Sequence, residues 1–152
     1  MQRVARFQNT PTLDTGAYAA GDQMSTLQTV DMADPLYGCH LASVTVLDGA
    51  SQSLPLDIFF FDRSVTVAAD QAASSFSDAD MVFCLGVVNI LAADYDANAA
   101  NSIATVAITP QMPLISNGRG RRIYVAYVTR GAPTYAAGSL VFSFNTLVED
   151  GG

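Results

Sequence analysis

The stretch "CHLASVTVLDG", Cys39–Gly49, decides the fold. Written as an extended chain, it puts Leu41, Ser43, Thr45 and Leu47 on one face and Ala42, Val44 and Val46 on the other, and it stops at an Asp-Gly turn. A period of two that ends at a turn signal is a β-strand. The next segment, "LPLDIFFFD" (Leu54–Asp62), repeats the pattern with a heavier load. Leu56, Ile58 and Phe60 point one way, and Asp57, Phe59 and Phe61 the other. That strand begins one-sided and ends apolar on both faces. One face fills a core; the other has to meet a loop, a helix or another subunit, since each Phe left in water forgoes about 1.5–3 kcal/mol. The flanking acids, Asp57 and Asp62, suit edge and turn control.

Similar signals recur along the chain. "QMSTLQTV" (Gln23–Val30), "MVFCLGVVNIL" (Met81–Leu91), "SIATVAIT" (Ser102–Thr109), "RIYVAYVTRG" (Arg122–Gly131) and "SLVFSFNTLV" (Ser139–Val148) all read as strands, and "RVARFQ" (Arg3–Gln8) alternates weakly. Gly86 marks a bulge or a close approach. "SFSDADM" (Ser75–Met81) reads as a capped turn or one short helix opening at a Ser or Asp. Loops are expected at "DMADPLYG" (Asp31–Gly38), "AADYDANAANS" (Ala92–Ser102) and "PQMPLISNGRGRR" (Pro110–Arg122). About eight strands with no long helix predict an all-β, antiparallel sandwich or barrel. Its single domain covers residues 12–148, followed by a loose tail, 149–152. Met1–Pro11, with Arg3, Arg6 and Phe7, is either a first strand or an arm reaching onto a neighbour, and the arm is preferred.

Composition bounds the task. Of 152 residues, 50% are hydrophobic and only 14% charged, against roughly a quarter in an ordinary domain. Part of the surface is therefore expected to be covered by copies of the chain or by another protein. The net charge is −7, with seven arginines and no lysine. Such a chain is a poor ligand for nucleic acid or an anionic membrane, while arginine suits fixed bidentate contacts. Cys39 and Cys84 lie in apolar, strand-like surroundings and read as free thiols. "MQRVARFQNT" has no apolar signal core, which implies synthesis in a cytoplasm, and no apolar run approaches a membrane span.

Catalytic and metal signals are thin. His40 is the only histidine and has no metal-ligand spacing around it; no Gly-x-Ser-x-Gly elbow occurs. The acids in "SDADM" and "DYDAN" have calcium-loop spacing but lack the Gly and the distal Glu, since Glu149 is the only glutamate; they read as caps and turns. No catalytic residue, cofactor or metal is expected. "NGRGRR" places Arg119, Arg121 and Arg122 in one loop, with Arg130 at the far end of the following strand. It reads either as a solvated turn or as a docking loop gripping carboxylates on a partner.

Four segments in order, "TPTLDTGAYAAGD", "LASVTVLDGASQSLPLDIFFFD", "SFSDADMVFCLGVVNILAADY" and "RRIYVAYVTRGAPTYAAGSLVFSF", resemble a family of small virion structural proteins of tailed bacteriophages, several of them capsid decoration or cement proteins. The resemblance runs from Thr10 to about Asn145. It implies a jelly-roll-like sandwich, trimeric, bound to the outside of the head, where it stabilises contacts between major capsid subunits without enzymatic activity. Phe59 and Phe61 would then be covered by sister subunits or by the shell, and Arg3, Arg6, Phe7, Arg119, Arg121, Arg122 and Arg130 would be further partner contacts. The competing expectation is a tail or baseplate module that binds a host glycan, since sandwiches also host lectins.

Overall fold

A computed structural model describes residues 2–32, 39–117 and 121–149. Its strands are β1 (Gln2–Asn9), β2 (Gln23–Asp31), β3 (Cys39–Asp48), β4 (Leu56–Phe61), β5 (Cys84–Ile90), β6 (Tyr95–Ala97), β7 (Ser102–Leu114), β8 (Arg122–Thr129) and β9 (Leu140–Glu149). They form two antiparallel sheets, in the orders β1-β9-β3-β7-β6 and β2-β8-β4-β5. With the short β6 set aside, two four-stranded sheets with these orders make a jelly roll, two interlocked Greek keys packed face to face. The all-β sandwich expected from the strand spacing is the architecture found.

The core lies between the sheets. From one side come Val44, Val46, Phe142 and Phe144, and from the other Leu56, Ile58, Phe60, Val125 and Tyr127, all buried. Phe60 meets Phe144 edge-on at 5.4 Å, and Tyr127 stacks on Phe142 at 4.0 Å. The Tyr127 hydroxyl donates to Asn9 Oδ1 at 2.9 Å and so ties β1 to the opposite sheet.

Local departures follow from pairing that a lone strand cannot announce. A register shift between Leu41 and Ser43 in β3 turns Leu41 inward with Val44 and Val46, off the face it was expected to share with Ser43. β7 runs on to Leu114, through what reads as a loop from Pro110. Only Ser102–Ala104 of β7 carries a second neighbour, β6, so beyond Ala104 its outer edge has no strand beside it and prolines are tolerated. Tyr95–Ala97, read as loop, is the short strand β6. Met1–Pro11 is not an arm over Gln2–Asn9: these residues pair with β9 at every position, and Phe7 faces inward opposite Phe144. Gly86 serves both of its expected roles. It pairs with Phe60 at the register shift in β5, and a Cβ there would run into the Met112 thioether. The short helix is α1 (Asp78–Met81), capped by Ser77, whose hydroxyl accepts from the Asp80 N–H at 3.1 Å.

The second face of β4 corrects the assembly reading of Phe59 and Phe61. Phe61 is fully buried with Val65 and Ala126 in a second, smaller core, and Phe59 is half-buried against it. Phe76, from the segment between β4 and β5, lies 4.9 Å from Phe59 and 5.5 Å from Phe61. The chain folds Arg63–Phe83 back over its own sheet, so Phe61 wholly and Phe59 in part are covered inside one molecule, and neither ring needs a partner as its cover.

Candidate functional site

The strand ends of the four-stranded sheet shape a polar cleft of about 510 Å³, lined by Asp31, Asp62, Arg63, Ser64, Ser116, Asn117, Arg121, Arg122 and Tyr124. β2 ends at Asp31, β4 ends just before Asp62, and β8 starts at Arg122. Jelly-roll connectivity thus gathers residues nearly a hundred positions apart. Asp62 takes two hydrogen bonds from Arg63, Nε at 2.7 Å and Nη2 at 3.1 Å, and the Arg63 guanidinium lies 3.7 Å above the Phe83 ring. Arg122 faces Asp31 across the β2–β8 pair and donates to it through Nε at 3.1 Å. The carboxylate in each pair pushes the arginine pKa further up. The Asp62 carbonyl accepts from the Asn117 N–H at 3.0 Å, which holds the cleft wall to the end of β4. Arg121 is exposed, and its guanidinium has no partner among the described residues.

Sequence-predicted contacts are dispersed by the fold. Arg121 and Arg122 share the cleft. Arg119 lies outside the described residues. Arg130 is at the opposite end of β8, paired with Asp57 at 2.6 Å; Asp57 also accepts from Asn89 at 2.6 Å. Arg3 and Arg6 sit on β1, with Arg6 exposed on the outer side of the sheet, and Phe7 joins the core. Arg63 escaped sequence reasoning. Its position after Phe61-Asp62 reads as a strand end, and its stacking partner Phe83 is twenty residues on in sequence.

The acids of the two calcium-like spacings are engaged locally: Asp80 accepts from the Thr66 N–H at 3.2 Å, and Asp94 from the Leu91 N–H at 2.7 Å. Among the described residues no group of three or more His, Cys, Asp and Glu is placed to hold a metal ion, and no helix is long and apolar enough to cross a membrane. Cys39 and Cys84 are free thiols, and burial pushes both pKa values up.

A second surface is the outer face of the five-stranded sheet. Its three central strands meet in rows. Val141, Leu47 and Ile103 form an apolar row at one end, Leu147 and Pro113 flank His40 in a row at the opposite end, and Ser143, Thr45 and Thr105 lie between. From the first of these rows to the last, β9, β3 and β7 present no Asp, Glu or Arg outward. Polar groups there satisfy one another: Gln8 donates to Ser143 Oγ at 3.2 Å, and Asn145 to Ser43 Oγ at 3.0 Å. The described charged side chains on this face, Arg6 and Asp96, are on the flanking strands.

No family model matches the chain, and no curated protein matches it.

Proposed function

We propose that the protein is a non-enzymatic structural protein of a tailed-bacteriophage particle, a head decoration or cement protein that binds the major capsid protein and stabilises contacts between capsid subunits, with sister copies as a trimer. The observation that carries this reading is the uncharged, uncovered outer face of the five-stranded sheet. The three uncharged strands, about 4.8 Å apart and ten residues long, present roughly 480 Å² in projection, and the neighbouring β1 brings this to roughly 600 Å². That approaches the roughly 800 Å² of accessible surface that each partner buries in a standard interface. A free sheet face in water ordinarily carries polar and charged side chains, whereas here the described charges lie on the flanking strands. Depletion of charge is the compositional mark of an interface core. The ordered resemblance of four segments to virion structural proteins supports the same reading, as does the jelly roll, an architecture common in viral capsid domains.

Mass spectrometry and cryo-electron microscopy of purified particles test it. The protein should be present in many copies on the head, with the β9-β3-β7 face turned to its neighbours. Its absence from particles, or a location confined to the tail, overturns the proposal. Particles stripped of it should lose their genome at lower temperature than decorated ones.

A further inference from the structure

The geometry points to a carboxylate-recognition site in the cleft at the β2, β4 and β8 strand ends, shaped to hold one Asp or Glu side chain of a partner's peptide segment through Arg121. It rests on the structural-protein reading only for whose segment that is. Every lining side chain carries a polar group and the walls are mostly polar, so an apolar ligand gains little there. About 510 Å³ is room for a side chain and its flanking peptide. Three arginines face two aspartates, a local excess of one positive charge in a chain of net charge −7. Arg63 and Arg122 are already pinned by Asp62 and Asp31 and act as fixed walls. Arg121 holds the charge that is left over, and its planar fork matches a carboxylate with two parallel N–H groups. Ser64, Ser116, Asn117 and the Tyr124 hydroxyl add neutral donors around it.

The same inventory argues against other occupants. A polyanion would meet Asp31 and Asp62 after its first charge, against the field of the whole chain. A cation would find both carboxylates already satisfied by arginine. A sugar acid would need a ring face to stack on, and Phe83 is already covered by the Arg63 guanidinium.

Titration of the isotope-labelled full chain by NMR, at low salt, tests the site. The probe is a capped hexapeptide containing two glutamates, compared with its glutamine twin. Amide shifts at Ser64, Asn117 and Arg121 should saturate with the glutamate peptide, while the twin binds about tenfold or more weakly, as expected for loss of a charged hydrogen bond. Arg121→Ala, an exposed change that leaves the melting temperature in place, should weaken the glutamate peptide by a similar factor. Equal binding of the twins, or full binding by Arg121→Ala, overturns the inference. So does competition by inorganic phosphate at the peptide's own concentration, or tighter binding of galacturonate than of the peptide. Because the assay contains no particle, its failure leaves the capsid proposal standing, and absence from particles leaves a positive titration standing.

Discussion

Tyr95 shows how single residues carry cost in this fold. Its ring packs against the main core from the short β6 strand, yet its hydroxyl is buried with no hydrogen-bond partner among the described residues. A buried hydroxyl without a partner costs about 1–3 kcal/mol, so removing it while keeping the ring should help. Tyr95→Phe is expected to raise the unfolding free energy by about 1 kcal/mol, read from urea melts at neutral pH. Burial also pushes the phenol pKa values of Tyr95, Tyr127 and Tyr135 above their ordinary value of 10. In the unfolded chain these phenols ionise near pH 10, whereas the folded chain keeps them protonated to higher pH. Above about pH 10 the unfolded state therefore holds fewer protons, and stability falls as pH rises. Below that pH the contribution is fully present. Denaturant melts between pH 8 and 11 should be flat at first and then decline, by up to about 1.4 kcal/mol per pH unit for each of the three. Tyr135→Phe should make the decline shallower by one such share. A rise in stability over this range would contradict the burial of these rings. None of this could be read from the sequence, because a tyrosine in a strand does not reveal whether its hydroxyl reaches a partner.

At the scale of elements, the "LDIFFFD" strand was legible in its alternation and misleading in its consequence. Leu56, Ile58 and Phe60 face the main core as their spacing required, and Phe61 does need a cover on the other side. The cover is the chain's own Arg63–Phe83 segment, whose sequence has neither a clean strand nor a clean helix period. It is held to the sheet by the packing of Phe76 on Phe59 and Phe61, and by backbone hydrogen bonds of Gln71, Ala72 and Ser74 to Gly21 and Gln23 around an isolated bridge, Asp22 to Ala73, while Ser77 and Asp80 fasten the segment internally. Phe76→Ala should therefore cost about 2 kcal/mol, less than the roughly 3–5 kcal/mol of a fully enclosed Phe. It should also make residues 63–83 more sensitive to limited proteolysis than the sandwich itself. A variant with unchanged proteolysis would mean that Phe76 does not clamp the segment. The strands whose periodicity was clean, β3, β4, β8 and β9, all lie where they were read. The misread ones, β1, β6 and the end of β7, sit at or near the edges of the five-stranded sheet. Edge strands need only one good face, so their sequences carry a weaker period, and their existence depends on a neighbour supplied by the fold.

For the whole molecule, the low charge content has a location. One sheet is covered on its outside by the chain's own 63–83 segment; the other, β1-β9-β3-β7-β6, shows among the described side chains an outer face without Asp, Glu or Arg on its three central strands between the Val141 and Leu147 rows. Composition predicted a covered surface but could not place it, because charge depletion is a property of a face and a face exists only once register aligns Val141 with Leu47 and Leu47 with Ile103. The cleft residues were legible only in part for the same reason: Arg121 and Arg122 were adjacent in sequence, while Asp31, Asp62 and Arg63 joined them through strand order. If the uncharged face is what meets the capsid, one charge at its centre should separate folding from assembly. Thr105 is exposed, points outward from β7 and lies opposite Thr45, so Thr105→Glu should leave the melting temperature within about 2 °C of the parent, as surface changes usually do. Buried in a contact against a sister copy or the shell, the same carboxylate would have no partner and would cost several kcal/mol. Occupancy on stripped particles, measured by gel densitometry after re-addition of the protein, should then fall at least tenfold. Thr105→Ser, which adds no charge, should bind like the parent. A Thr105→Glu protein that redecorates particles to full occupancy would move the capsid contact off this face and onto the strand ends, where the Arg121 cleft lies.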